Sequence, residues 1–160
     1  MHELAFPLLV GLIIIALAFD FLNGLHDAAN SIATVVSTRL LSPVWAVAFA
    51  AVGNFAAYWL VPLHVADTIG KGIINKDMVT PGVVFGALIG AMFWNVVTWL
   101  KGIPSSSSHA LLGGLLGAGI AHAGLGAVES KKTIETIFAI FLSPMIGFAL
   151  AMLMVLVTSW

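Results

Sequence analysis

Long runs almost free of charge constrain this chain more than any other feature. Ala5–Leu22, Ser42–Pro62 and Pro81–Lys101 each approach the ~20 mostly apolar residues that a helix needs to cross a hydrocarbon layer. Their polar interior residues are few, namely Asp20 near the end of the first, Asn54 in the second and Asn95 and Thr98 in the third. A fourth run extends from about Thr133 to Trp160, interrupted by Ser143-Pro144. The whole chain has six Lys or Arg and seven Asp or Glu, 8% of its residues, against roughly 25% in a soluble domain. With 61% hydrophobic residues and so few charges, it cannot build a water-soluble surface. The expected fold is therefore an all-α, multi-pass integral membrane protein of the cell membrane, one transmembrane domain over 1–160 with about four to five transmembrane helices.

A net charge of −1 with scattered cations excludes a nucleic-acid partner. The absence of cysteine excludes disulfides and thiolate metal sites. The first apolar run lacks a basic leader and a small-residue cleavage site before Asp20, so it is expected to be a retained span rather than a signal peptide. The connectors Val65–Thr80 and Ala123–Lys132 hold the Lys, Asp, Glu and Gly expected of solvated or interfacial loops. Trp45, Trp59, Trp94 and Trp99 fall near span ends, where aromatic side chains anchor at the interface. The positive-inside rule gives no single orientation. If Ser106–His122 dips in and returns, Arg39, Lys101, Lys131 and Lys132 share a side; if it crosses, Lys131 and Lys132 join Lys71 and Lys76 instead.

Two polar interruptions carry the chemistry. In the first, over 20–38, Asp20, Asn23, Asp27, Asn30, Thr34 and Ser37 are spaced 3, 4, 3, 4, 3, one face of a helix. A polar stripe in an apolar segment faces a cavity or the bundle interior. Gly24 offers a place to unwind, so a broken helix is expected, whose freed carbonyls would coordinate a small cation beside a carboxylate. The nearest cationic side chain in sequence is Arg39, so a bound Na⁺ or a proton is the economical partner of Asp27, with Asn23 and Asn30 beside it. The alternative is that Asp20 lies among headgroups and Asp27 caps the following helix.

In the second, over 102–122, Pro104 stops one helix and Ser105, Ser106, Ser107, Ser108 and His109 lead into Ala110–Gly117. Serine caps a half-helix or re-entrant hairpin whose N-terminus offers free N–H groups and hydroxyls, the donors that bind an oxyanion. Hydroxyls in place of Arg favour release as well as capture. Ser106, Ser107 and Ser108 are the candidate ligands; His109 is an anion ligand, a proton acceptor or an internal partner of the loop. Gly113, Gly114 and Gly117 permit close helix packing.

At these residues the chain resembles the inorganic phosphate transporter (PiT) family of sodium- and proton-coupled phosphate carriers, some of which carry sulfate. The resemblance rests on Gly24-Leu25-His26-Asp27-Ala28-Ala29-Asn30, on Pro104-Ser105-Ser106-Ser107-Ser108-His109 with Gly113, and on Trp94-Asn95-x-x-Thr98-Trp99 between them. It implies that Asp27 and Asn30 help bind the coupling cation and the substrate, and that Ser106, Ser107 and Ser108 bind the oxyanion. It implies no enzyme activity and no cofactor beyond the coupling Na⁺ or H⁺. Ala110 stands where many members have Ser or Thr, which leaves phosphate and sulfate both open. The family's transporters contain two inverted repeats, each with both motifs, and this chain has each motif once, resembling the first repeat. The rest of the site is then expected from a second polypeptide, an oppositely inserted second copy, or residues beyond a truncation, and a homo-oligomer is expected.

Two other readings compete. A hydrolase built on Ser, His109 and Asp27 has the residue types but no Gly-x-Ser-x-Gly elbow, and its Ser and His share one short loop. A non-transporting subunit that completes a partner's site is the other.

Overall fold

The computed structural model describes residues 6–60 and 72–159. The described residues are mainly helical: α1 (Phe6–Ser37), α2 (Pro43–Leu60), α3 (Pro81–Lys101), α4 (Ser107–Ala123) and α5 (Ser130–Thr158). Four of these, all but α4, are long and apolar enough to cross a membrane. Their outward side chains are Phe, Leu, Val, Ile and Trp, such as Phe49, Phe141 and Leu153, which a bilayer accepts and water does not. The chain is a multi-pass membrane protein.

Three expectations need correcting. The first concerns α1, which is one continuous helix of 32 residues rather than a span and a half-helix broken at Gly24. A mid-helix glycine costs only ~1 kcal/mol, no proline lies between Pro7 and Pro43, and backbone groups freed in hydrocarbon would need other partners. At ~1.5 Å per residue α1 is ~48 Å long, so it tilts or projects beyond a ~30 Å hydrocarbon layer. The second is Ser143-Pro144, which does not interrupt α5: Pro144 lies inside the helix, and losing one N–H is tolerable where helix continues on both sides. The third is the connector Val65–Thr80. Its residues up to Lys71 lie outside the described ones, but beyond them Ile73 and Ile74 are 0% and 3% exposed, so that part is not a solvated loop.

These isoleucines tie two connectors together. Asn75 N–H donates to Ala127 O and Glu129 N–H donates to Ile73 O, a single antiparallel bridge. Ile73, Ile74, Val83, Leu112 and Ala127 form the packed core beside it. The apolar Ile-Ile pair within a Gly- and Lys-containing segment is the sequence signal for this burial. The bridge also joins the start of α3 to the end of α4, so α3 and α4 form an antiparallel hairpin that returns to its starting end. Lys131 and Lys132 therefore lie at the same end as Lys76, and Arg39, between α1 and α2, lies opposite.

Small residues set the closeness of that hairpin. A Cβ at Gly114 would run into the Ala87 carbonyl, and one at Gly86 would press on Ala118 at 3.3 Å. Thr80 caps α3, its hydroxyl accepting from Val83 N–H, and Pro81 fills the first turn, where its missing N–H costs nothing. Gly102 ends α3 in the left-handed region, φ 63°, which suits glycine.

Candidate functional site

The serine loop enters the bundle beside the polar stripe of α1. Ser106 caps α4, its hydroxyl accepting from His109 N–H at 3.4 Å. That cap turns the next residue, Ser107, inward, where it is 4% exposed. Ser107 Oγ lies within hydrogen-bond reach of Asn23 Oδ1 and at 3.2 Å from Asp27 Oδ2. Asn23 and Asp27 are one turn apart on α1, so a single serine meets both. A hydroxyl carries one proton. It can therefore donate to only one of these two oxygens at a time, which leaves the other without a proton.

The two interruptions, 84 residues apart for Asn23 and Ser107, are thus one cluster. Hydroxyls on and beside the rest of the stripe bond back to the α1 backbone. Ser31 Oγ donates to Asp27 O at 3.3 Å, Ser37 Oγ to Thr34 O at 3.0 Å, and Thr38 Oγ1 to Thr34 O at 2.8 Å. Asn30, one turn beyond Asp27, is exposed and makes no side-chain hydrogen bond among the described residues. Among those residues no Lys or Arg pairs with Asp27, the ion pair present being Lys132–Glu135 at 3.8 Å.

The remaining loop residues face elsewhere. Ser108 is exposed, and its hydroxyl and N–H stand at the open start of α4. His109 is two residues from Ser107, ~200° around the helix, and lines a different wall. It borders a groove of about 600 Å³ with Trp94, Ser105 and the glycines of α3 and α4. Trp94 Nε1 donates to Ser105 Oγ at 3.2 Å, so Ser105 pins the loop to α3 rather than serving the cluster. Opposite placement of Ser107 and His109 denies a triad its serine–base contact, which disfavours the hydrolase reading.

Sequence reasoning undervalued Asn95. It is 2% exposed, and among the described residues neither its Nδ2 nor its Oδ1 has a hydrogen-bond partner. The signal was present in Trp94-Asn95, an amide in the middle of an apolar span.

Comparison with known proteins agrees with the motifs. The model of the phosphate transporter family matches residues 23–160. The chain is 62% identical over 157 residues to a probable low-affinity inorganic phosphate transporter of Rhizobium meliloti (strain 1021), covering 98% of this chain and 47% of that protein. It is 48% identical over 145 residues to a protein of the same description from Bacillus subtilis (strain 168), covering 89% and 43%. Among solved structures it is similar to a sodium-dependent phosphate transporter, with a TM-score of 0.82, 30% identity and coverage of 94% of this chain and 40% of that one. The chain spans about half the length of the curated relatives it matches.

Proposed function

The chain belongs to the phosphate transporter family, and from that premise we propose that it carries inorganic phosphate across a membrane together with a cation. The observation that supports this most is the Ser107 hydroxyl, which joins the Asp27 carboxylate to the start of α4. A carboxylate among spans, with no basic partner among the described residues, calls for a positive ligand. A helix start with free N–H groups and hydroxyls calls for a negative one. Placed against each other, the cation offsets part of the anion's charge, so neither crosses hydrocarbon alone.

In this reading Asp27, Asn23 and Asn30 belong to the cation, while Ser106 and Ser108, with the N–H groups of α4, belong to the oxyanion. Ser107 stands between them. The neutral oxygens beside Asp27 favour Na⁺ over H⁺, because a proton needs one acceptor and a hard cation needs several oxygens. His109 keeps a structural role in the groove behind the loop. One repeat supplies half of a midplane site, and the other half comes from a second repeat-like unit, in the same polypeptide, a second copy or another chain. A transporter rather than an enzyme is the role that fits this arrangement.

Uptake of ³²P-phosphate into proteoliposomes tests the proposal. Uptake driven by an inward Na⁺ gradient, and weaker with ³⁵S-sulfate, is expected. Phosphate uptake indifferent to both Na⁺ and the pH gradient sinks the coupling, and preferred sulfate uptake reassigns the anion.

A further inference from the structure

We infer that Asn95 is a further ligand of the cation held by Asp27, supplied from α3. The inference rests on the cation half of the proposed function and adds a residue from a third helix to it. It starts from a side chain that breaks an otherwise general rule. Buried amides are hydrogen-bonded, yet Asn95 is 2% exposed with neither Nδ2 nor Oδ1 paired among the described residues. The adjacent buried hydroxyl gives it nothing, because Thr98 Oγ1 turns back to Trp94 O at 2.9 Å and Asn95 O at 3.1 Å.

The helix registers place this amide at the cluster. Ala16 of α1, Leu88 of α3 and Leu111 and Leu115 of α4 line one apolar cavity of about 250 Å³, so these three helices meet there. Helix α4 runs opposite to α3; Ala16 shares this cavity with Leu111 and Leu115 while Asn23 meets Ser107, so α4 runs opposite to α1 as well. Seven residues along a helix is about two turns, ~10.5 Å, and returns to nearly the same face. Seven residues on from Ala16 is Asn23; seven on from Leu88 is Asn95. Going the other way on α4, Ser107 is one turn before Leu111 and two turns, ~12 Å, before Leu115. Asn23, Asn95 and Ser107 therefore share a level and a facing. The neighbouring Trp94 points to the outer groove, held by Ser105, and this leaves Asn95 on the inner side.

The donor set then has the character of an alkali-cation site: carboxylate oxygen of Asp27, amide oxygens of Asn23 and Asn95, and the hydroxyl of Ser107. All four are hard oxygens, and a single carboxylate balances a monovalent charge. The cation supplies the partner that the Asn95 oxygen otherwise lacks.

The test is thermal unfolding of the purified chain, titrated with NaCl against choline chloride at constant ionic strength. Wild type is expected to gain stability with Na⁺. Asn95→Leu is expected to unfold no lower than wild type in choline, because replacing an unpaired buried amide by a similar apolar volume removes no interaction. Its Na⁺ midpoint should move up by at least about tenfold, one lost ligand, while Asn95→Asp, which keeps an oxygen, retains the response. Should Asn95→Leu yield no folded protein, Asn95→Ala carries the same comparison. An unmoved Na⁺ midpoint in either variant overturns the role of Asn95 alone. A wild-type protein blind to Na⁺ overturns the cation reading and this ligand with it.

Discussion

Ser107→Ala removes the side-chain oxygen that, among the described residues, links α1 to α4 at the cluster. Hydrogen bonds to a charged group are worth about 1.5–3 kcal/mol. The Ser107–Asp27 separation of 3.2 Å is long for a hydroxyl on a carboxylate, for which about 2.5–2.7 Å is the strong range. The lower end, about 1.5 kcal/mol or roughly tenfold in affinity, is therefore the appropriate value. At 4% exposure the position admits little water to replace the lost group, so the loss is not much softened. The assay is ³²P-phosphate uptake titrated with Na⁺ at saturating phosphate, and with phosphate at saturating Na⁺. The half-saturating Na⁺ concentration is expected to rise about tenfold, by more than that of phosphate, and Ser107→Thr, which keeps the hydroxyl, should stay near wild type. A weakened phosphate affinity with unchanged Na⁺ affinity would refute the reasoning, because it would make Ser107 an anion ligand that does not serve Asp27.

Asp27→Asn removes the carboxylate but keeps the hydrogen-bonding shape, and is expected to abolish Na⁺-dependent uptake while the protein still folds; retained Na⁺ dependence counts against Asp27 as the ion's partner. Gly114→Ala forces a methyl into the Ala87 carbonyl and should lower the unfolding temperature in detergent by an amount equivalent to about 1–3 kcal/mol, whereas a wild-type melting curve would show that α3 and α4 do not approach so closely.

The apolar runs and the polar stripe were legible because they rest on periodicity alone. The bounds of α3, Pro81–Lys101, and the start of α4 after Ser106 follow from proline, glycine and serine acting where their chemistry requires. Gly24 misled because a glycine permits a break without causing one, and the surrounding Leu, Ala and Ile of α1 favour continuing helix. Pro144 misled for the related reason that one missing N–H does not end a long apolar helix. The meeting of Asn23, Asp27 and Ser107 was not legible at all: periodicity says which face is polar, but only packing says which helix it faces. Asn95 shows the same limit, since an amide in a span is visible in sequence and its lack of a partner is not.

The central claim is that cation and phosphate share one site, joined at Ser107. Calorimetric titration of phosphate into the purified protein, with and without saturating Na⁺, and of Na⁺ with and without phosphate, addresses it directly. Linkage requires the two ligands to change each other's affinity by the same factor, and a shared site predicts that both factors are well above one and equal. Phosphate affinity indifferent to Na⁺ would contradict the account.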